Sequence, residues 1–133
     1  VKRFASSHFY TETLFGRKRY FANINSRIPF LKNMAERTAI NAPVQGTAAD
    51  IIKLALRYAN EDLEKANLLP DANLVLVIHD ELVYEIKEDI LESAEKIIKN
   101  AMEGVLERSY IHYKNNIPLT VHSGSGDNFG EVK

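Results

Sequence analysis

The stretch that decides the fold is Val75-Leu76-Val77-Ile78-His79-Asp80-Glu81-Leu82-Val83-Tyr84-Glu85. Two apolar runs rich in β-branched residues flank three polar residues, and this pattern predicts two strands joined by a tight turn. We expect the hairpin to bury its apolar flanks and to place His79, Asp80 and Glu81 at its tip. Because a divalent cation offsets the repulsion between neighbouring carboxylates, the tip is a candidate cation site. A plain polar turn is the alternative interpretation.

The composition is that of an ordinary globular domain. The chain has 133 residues, of which 45% are hydrophobic and 26% are charged, enough for one domain with a real core. It contains no Cys, which excludes disulfides and thiolate metal sites and fits a reducing, cytoplasmic compartment. No apolar run has the length of a membrane span or a signal peptide. Because the chain does not begin with Met, a processed, split or excised piece of a larger protein is one interpretation.

Charge is distributed unevenly along the chain. Residues 1–37 hold 8 Lys and Arg against 2 Asp and Glu, whereas the remainder holds 9 against 16. A basic first third and an acidic remainder suit a protein that binds a polyanion with one part and cations with the other. Unevenly scattered surface charge is the alternative.

The N-terminal part predicts a second, basic hairpin. Residues 9–15 are rich in aromatics and Thr, as strands are, and Gly16 marks a bend before Arg17-Lys18-Arg19 and Tyr20-Phe21. Three cations between aromatic residues are a candidate nucleic-acid contact, since Arg and Lys bind phosphate oxygens. A solvated turn is the competing interpretation.

Helical spacing begins near Phe30, and we expect Pro43 to interrupt the helix because its ring clashes with the preceding turn. A second helix is expected from Thr47, capped by that residue and Asp50, and fading by Ala66. The four-residue spacing of Arg37, Asn41 and Gln45 would align them on one face. Such side chains suit hydrogen bonds to sugars, phosphates and minor-groove base edges, and capping of the break at the proline is the alternative.

Two further elements complete the sequence prediction. A helix is expected from about Glu88 to near Arg108. The carboxylates of Glu88 and Asp89 favour a helix start, because they interact with the positive end of the helix dipole. Residues 117–122 predict a last strand, at a sheet edge because of Pro118. Together the elements predict an α+β fold with an antiparallel sheet and packed helices.

Three segments resemble the family A DNA polymerases, the DNA polymerase I type, in the right order. Glu12-Thr13-Leu14-Phe15-Gly16-Arg17-Lys18-Arg19-Tyr20 is similar to that family's ETLFGRRRY segment. The segment from Glu36 to Asp50, ending in Pro-Val-Gln-Gly-Thr-Ala-Ala-Asp, resembles its PVQGTAAD stretch nearly letter for letter. Val77-Ile78-His79-Asp80-Glu81 resembles its motif C hairpin. The resemblance covers essentially the whole chain.

The resemblance implies a fold and a partial active site. The fold is the C-terminal part of the polymerase palm with the edge of the fingers, divided into a basic hairpin and loop (residues 1–29) and the palm helices with the motif C hairpin (residues 30–133). Asp80 would hold catalytic metal, with Glu81 in a lesser part. His79 would contact the primer terminus. The DNA contacts would be made by Arg37, Asn41 and Gln45 along the primer–template and by Arg17 and Arg19 on template-side phosphates.

The implied activity is template-directed DNA synthesis from deoxynucleoside triphosphates on primer–template DNA. It requires two Mg²⁺ ions about 3.5–4 Å apart, held by carboxylates from different strands. The family's second essential Asp lies in motif A, its nucleotide-gripping residues lie in motif B, and the sequence contains neither motif. We therefore expect the chain to share its Mg²⁺ with a carboxylate of the N-terminal remainder of the polymerase, in the same or a separate chain. Alone, it is expected to be inactive.

Two other functions remain open on the sequence. A single-subunit RNA polymerase has a related palm, although PVQGTAAD and the Glu that follows His-Asp favour a DNA polymerase. The other is a non-catalytic DNA-binding module derived from a polymerase, against which the retention of Asp80, His79 and Gln45 argues.

Overall fold

The structure, a computed structural model, describes residues 1–114 and 116–132. Its elements, in chain order, are α1 (Lys2–His8), β1 (Tyr10–Glu12), β2 (Lys18–Tyr20), α2 (Pro29–Lys65), β3 (Ala72–Ile78), β4 (Glu81–Ile86), a 3₁₀ turn (Glu88–Ile90), α3 (Leu91–Glu103) and α4 (Val105–Arg108). The strands form two antiparallel hairpins, β1–β2 and β3–β4. Helices with antiparallel strands confirm the predicted α+β class. The chain divides into two compact units, Val1–Asp50 and Ile51–Lys133.

The first unit contains α1, the β1–β2 hairpin and the first part of α2. Tyr10 pairs with Tyr20 and Glu12 with Lys18, and Gly16 occupies the connecting loop with a φ of 82°. This confirms the predicted basic hairpin, because only glycine adopts that left-handed conformation without steric cost. A small core buries six apolar side chains: Ala5, Phe21, Ile24, Ala35, Ala39 and Ala42. Helix α1, which the sequence interpretation missed, contributes the first of them.

The second unit has the larger core. Nine side chains from α2, β3, α3 and α4 are buried together: Ala55, Tyr58, Ala59, Leu63, Ala72, Ala94, Ile98, Ala101 and Val105. Alanines dominate the list because short side chains let helices approach closely. The predicted helix after the second hairpin is present as the 3₁₀ turn, α3 and α4, with Gly104 between the last two.

Helix α2 corrects the prediction of two helices. It runs without a break for 37 residues, with Pro43 inside it. An internal proline removes one helical hydrogen bond and costs roughly 3 kcal/mol. Buried alanines on both sides of the proline, among them Ala39 and Ala55, tie the helix to the cores of the two units, and this packing offsets that cost. The expected end of the second helix is confirmed, since α2 stops at Lys65.

Two other expectations are wrong. The β3 flank of the second hairpin is not buried: Leu74, Val75, Leu76 and Val77 are each between 43% and 55% exposed. On β4, by contrast, Tyr84 and Ile86 pack against the core, and β3 is bulged between Leu74 and Leu76. The last strand is also missing, because residues 117–122 pair with no strand of the described chain. The backbone N–H of Val121 donates instead to the Glu103 carboxylate, at 3.0 Å.

Within residues 1–114 and 116–132, no helix combines the length and the apolar character that crossing a membrane requires.

Candidate functional site

The β3–β4 hairpin places the three predicted tip residues at a two-residue turn. Ile78 pairs with Glu81, so His79 and Asp80 form the turn and Glu81 is the first residue of β4. All three side chains at positions 79–81 are exposed to solvent. Two consecutive acidic residues therefore lie at the end of the hairpin with their side chains exposed to solvent.

His79 adopts an unusual backbone conformation. Its φ is 53°, in the left-handed region that costs a residue with a Cβ roughly 1–2 kcal/mol. Two-residue hairpin turns need a positive φ at their first position, where glycine is the usual choice. A histidine at that position gives up backbone freedom and gains an exposed imidazole beside Asp80. Such an exchange is typical of residues kept for their side-chain chemistry.

The tip residues carry oxygen donors of the kind that suits Mg²⁺. Among the residues that the structure describes, no three His, Asp or Glu side chains lie close enough to hold one ion together. Carboxylate oxygens are the ligands that Mg²⁺ prefers, and Asp80 with Glu81 supplies them from one turn only.

The continuous α2 helix brings the predicted DNA-contacting row into register. Arg37, Asn41 and Gln45 all lie on α2 and are all exposed. Four residues turn an α-helix by about 400°, so each side chain follows its predecessor with a shift of only about 40°. Because the helix does not break at Pro43, the three side chains form one polar stripe.

Arg17 is bound to α2 within the first unit. Its Nε donates to Asp50 Oδ1 at 2.8 Å, and its Nη2 donates to the carbonyl oxygen of Gly46 at 3.1 Å. Asp50 is only 9% exposed, and its second carboxylate oxygen has no hydrogen-bond partner among the residues that the structure describes. Arg17 therefore compensates a nearly buried charge, a structural role that the sequence interpretation did not foresee.

Thr47 and Gly46 complete this attachment, so that Arg17, Gly46, Thr47 and Asp50 make up what we call the hairpin anchor. Thr47 Oγ1 accepts a hydrogen bond from the backbone N–H of Leu14 at 2.9 Å, and it does not cap a helix as predicted. A Cβ added at Gly46 would lie 2.7 Å from Thr13 Cγ2, closer than real contacts allow. The glycine thus permits the loop of the first hairpin to touch the helix.

A small cavity beside the hairpin anchor gathers three of the predicted site residues. Arg17, Arg19 and Gln45 line it, together with Thr11. Its volume is about 210 Å³, and within the described part of the chain the buried hydroxyl of Thr11 has no hydrogen-bond partner. Arg37 and Asn41 belong to the same helix face but lie outside this lining.

The first unit also contains an aromatic cluster of Phe4, His8, Tyr10 and Tyr20. Phe4 stacks on His8 with 4.2 Å between ring centroids, and Tyr10 meets Phe4 edge-on at 5.5 Å. Tyr10 also contacts its strand partner Tyr20 at 5.5 Å. Lys18 Nζ lies 4.4 Å from the Tyr10 ring centroid, and a hydrogen bond with the Tyr10 phenol raises the pKa of Lys18. The ammonium is thus charged at neutral pH.

Sequence reasoning missed the hairpin anchor and the aromatic cluster for different reasons. A hairpin with its bend near Gly16 places Tyr10 opposite Tyr20, so the sequence could have predicted their contact. Phe4 and His8 depend on α1, which has only seven residues and no capping side chain to announce it. The pairing of Arg17 with Asp50 spans 33 positions and carries no local signal.

Comparison with known proteins decides the family. The sequence model of the family described as DNA polymerase family A matches residues 1–131. The chain belongs to DNA polymerase family A. This confirms the resemblance drawn from the three motifs. The match covers both the hairpin tip, residues 79–81, and the polar stripe on α2.

Curated relatives are much longer than this family A chain. It is 41% identical over 128 residues to DNA polymerase I of Pseudomonas aeruginosa, covering 96% of the chain but 13% of that protein. It is 40% identical over 124 residues to the thermostable DNA polymerase I of Thermus aquaticus, covering 93% and 14%. It is 37% identical over 138 residues to DNA polymerase theta of Drosophila melanogaster, covering 100% and 6%. The chain therefore spans about one eighth of the first relative's length.

A solved structure shows the same fold. The family A chain is similar to the POL domain of Pol1 from M. smegmatis, a complex with DNA primer-template and dNTP, at a TM-score of 0.78 and 34% identity. The similarity covers 90% of this chain and 19% of that one. The predicted fold class is thus confirmed against a polymerase.

Proposed function

We propose that the chain is the C-terminal portion of a DNA-directed DNA polymerase and supplies the motif C carboxylate to template-directed nucleotidyl transfer. The observation that carries this proposal is the match to family A over residues 1–131, in which Asp80 stands exposed at the tip of a hairpin. The exposed His79, with a positive φ at the first position of that turn, lies next to Asp80 in sequence and supports the same proposal.

Asp80 would hold catalytic Mg²⁺, with Glu81 beside it and His79 facing the primer terminus. Mg²⁺ would come as two ions shared with a carboxylate outside this chain, and when bound it acidifies the primer hydroxyl and stabilises the leaving pyrophosphate. Asp80 and Glu81 are consecutive residues, so they cannot supply carboxylates from two different strands. The residues of this chain therefore provide part of a site.

The α2 stripe supports the binding of primer–template DNA. Arg37, Asn41 and Gln45 would follow the minor groove, where amides and guanidinium groups donate to base-edge acceptors. Arg19 is a stronger candidate for a template phosphate than Arg17, because Arg17 already donates to Asp50 and Gly46. Deoxynucleoside triphosphates are the proposed substrates.

The exposed apolar strand β3 supports an incomplete palm. Four consecutive apolar side chains, residues 74–77, are 43% to 55% exposed, and such a run marks an interaction surface. We propose that the N-terminal remainder of the polymerase covers it. On this proposal residues 1–29 are the edge of the fingers and residues 30–133 are palm, together one incomplete domain.

The test substitutes Asp80 in the chain joined to a remainder that carries motifs A and B. Asp80→Ala should lower Mg²⁺-dependent primer extension on the order of 10³-fold, as expected when charge stabilisation is lost at a reacting centre, and should leave primer–template affinity nearly unchanged. Asp71→Ala, an exposed aspartate at the far end of β3, is the control and should retain extension. Equal losses of extension and affinity would make Asp80 structural and would contradict the proposal.

A further inference from the structure

We propose that the aromatic cluster formed by Phe4, His8, Tyr10 and Tyr20 binds unpaired bases of single-stranded DNA, the chemistry of a template strand that has not yet been copied. The inference rests on the proposed function and extends it to a surface with no part in the motif C chemistry. It concerns only the first unit.

The rings form a connected series with exposed faces. Phe4 stacks on His8 at 4.2 Å, and contacts at 5.5 Å continue the series through Tyr10 to Tyr20. Tyr20 is 69% exposed and Phe4 is 42% exposed. Rings that served only as core would be buried, as Phe21 is. An exposed ring offers its face to any nucleobase, since every base has a π-face to stack on it.

The charges around the rings match a nucleic-acid backbone. Lys18 is exposed on β2, on the same face of the hairpin as Tyr20, and it lies over the Tyr10 ring. The Glu12 carboxylate lies 3.7 Å from Lys18 and offsets part of its charge, while Arg19 projects from the opposite face, 5.8 Å from the Phe21 ring. Lys18 is therefore the cation that lies next to the rings. Single-strand binding proteins combine stacking rings with cations in this way: the rings take the bases and the cations take the phosphates.

The test compares two oligonucleotides of equal length and equal charge, oligothymidylate and a fully abasic strand. Fluorescence anisotropy measures their affinities for the 133-residue chain at one fixed salt concentration. If bases stack on the cluster, oligothymidylate should bind about fivefold or more tightly than the abasic strand. Binding by phosphate contacts alone would give equal affinities.

Three variants locate the effect. Tyr20→Leu removes the most exposed ring without disturbing a core and should abolish most of the preference for bases. Tyr20→Phe keeps the ring and should retain the preference. Tyr113→Leu, an exposed tyrosine of the second unit, is the matched control and should behave like the unchanged chain.

Two outcomes would overturn the proposal: equal binding of the two strands, including no binding of either, or a preference for bases that survives Tyr20→Leu. Protection of Tyr20 by protein in the joined polymerase would do the same, because it would make the cluster an internal interface. These results are separable from the proposed function, which is tested by metal-dependent extension in the joined polymerase and in its Asp80→Ala variant.

Discussion

The two hairpins of this chain are stabilised in opposite ways. The β1–β2 hairpin has strands of only three residues, yet its loop is fastened to α2 by the hairpin anchor. The β3–β4 hairpin has strands of seven and six residues, yet the apolar side chains in the middle of β3 face solvent. The shorter hairpin therefore has more of its contacts within its own unit than the longer one has.

The difference teaches which parts of this family A chain are self-sufficient. Polar side chains specify the attachment of the first hairpin, and both partners are present in residues 1–50. In the second hairpin, Tyr84 and Ile86 of β4 pack on the core, and burial raises the pKa of the Tyr84 phenol. The middle of β3 has no comparable cover. On the account proposed above, that cover is supplied by the rest of the polymerase.

Removing Arg17 should break the first hairpin's attachment most strongly. Arg17→Ala leaves the nearly buried Asp50 carboxylate without its partner and should lower the free energy of unfolding by about 1–3 kcal/mol, measured by urea denaturation. Arg57→Ala is the control. It breaks an ion pair between the exposed Arg57 and the half-buried Glu61 at a comparable distance, 2.7 Å, and it should change stability much less because Arg108 still pairs with Glu61.

The salt dependence of DNA binding separates Arg17 from Arg19. Loss of a phosphate contact lowers the slope of log affinity against log salt by about one. Arg19→Ala should show that change, whereas Arg17→Ala should leave the slope nearly unchanged. An unaltered stability with a reduced slope for Arg17→Ala would make Arg17 a phosphate ligand and would remove the hairpin anchor from the account.

A charge on the second hairpin should act on assembly and not on folding. Val75→Lys places an ammonium on the most exposed apolar residue of β3. We expect its stability to change by less than about 0.5 kcal/mol, as for other surface substitutions. Association with a separately produced remainder of the polymerase, measured by calorimetry, should weaken about tenfold. A tenfold loss of affinity corresponds to about 1.4 kcal/mol, and burying an unpaired charge in an interface costs more free energy than that.

The matched control for this variant is Val132→Lys, at an exposed valine outside the strands. It should leave association unchanged. If Val75→Lys unfolds the chain, or associates as well as the control, then β3 is not the covered surface.

A further stability test sharpens the role of Gly46. Gly46→Ala improves helix propensity by about 1 kcal/mol but forces Thr13 Cγ2 aside, which costs about 1–3 kcal/mol. The net result should be a loss of up to about 2 kcal/mol in thermal or urea unfolding. In a Thr13→Ser background the methyl group is gone, while the hydroxyl can still accept from the backbone N–H of Arg17. There, Gly46→Ala should become stabilising by about 1 kcal/mol, and an unchanged loss would show that the contact is irrelevant.

Local sequence signals predicted what local chemistry determines. The turn at His79-Asp80, the bend at Gly16 and the end of α2 were all predicted, because alternation of apolar residues, glycine and breaker residues act over a few positions. Pro43 misled the interpretation, since the packing that offsets its cost comes from core alanines on both sides of it. The strand predicted for residues 117–122 failed because a strand needs a partner, and apolar pattern alone supplies none.

The candidate site divides in the same way. Asp80, Glu81 and the α2 stripe could be named from motif and spacing. The partnership of Arg17 with Asp50 could not, because it joins residues 33 positions apart.

The most direct test of a shared active site is primer extension by the chain alone and by the chain joined to a remainder carrying motifs A and B. The account predicts no Mg²⁺-dependent synthesis by the isolated chain and synthesis by the joined protein. Metal-dependent extension by the isolated 133 residues would contradict it.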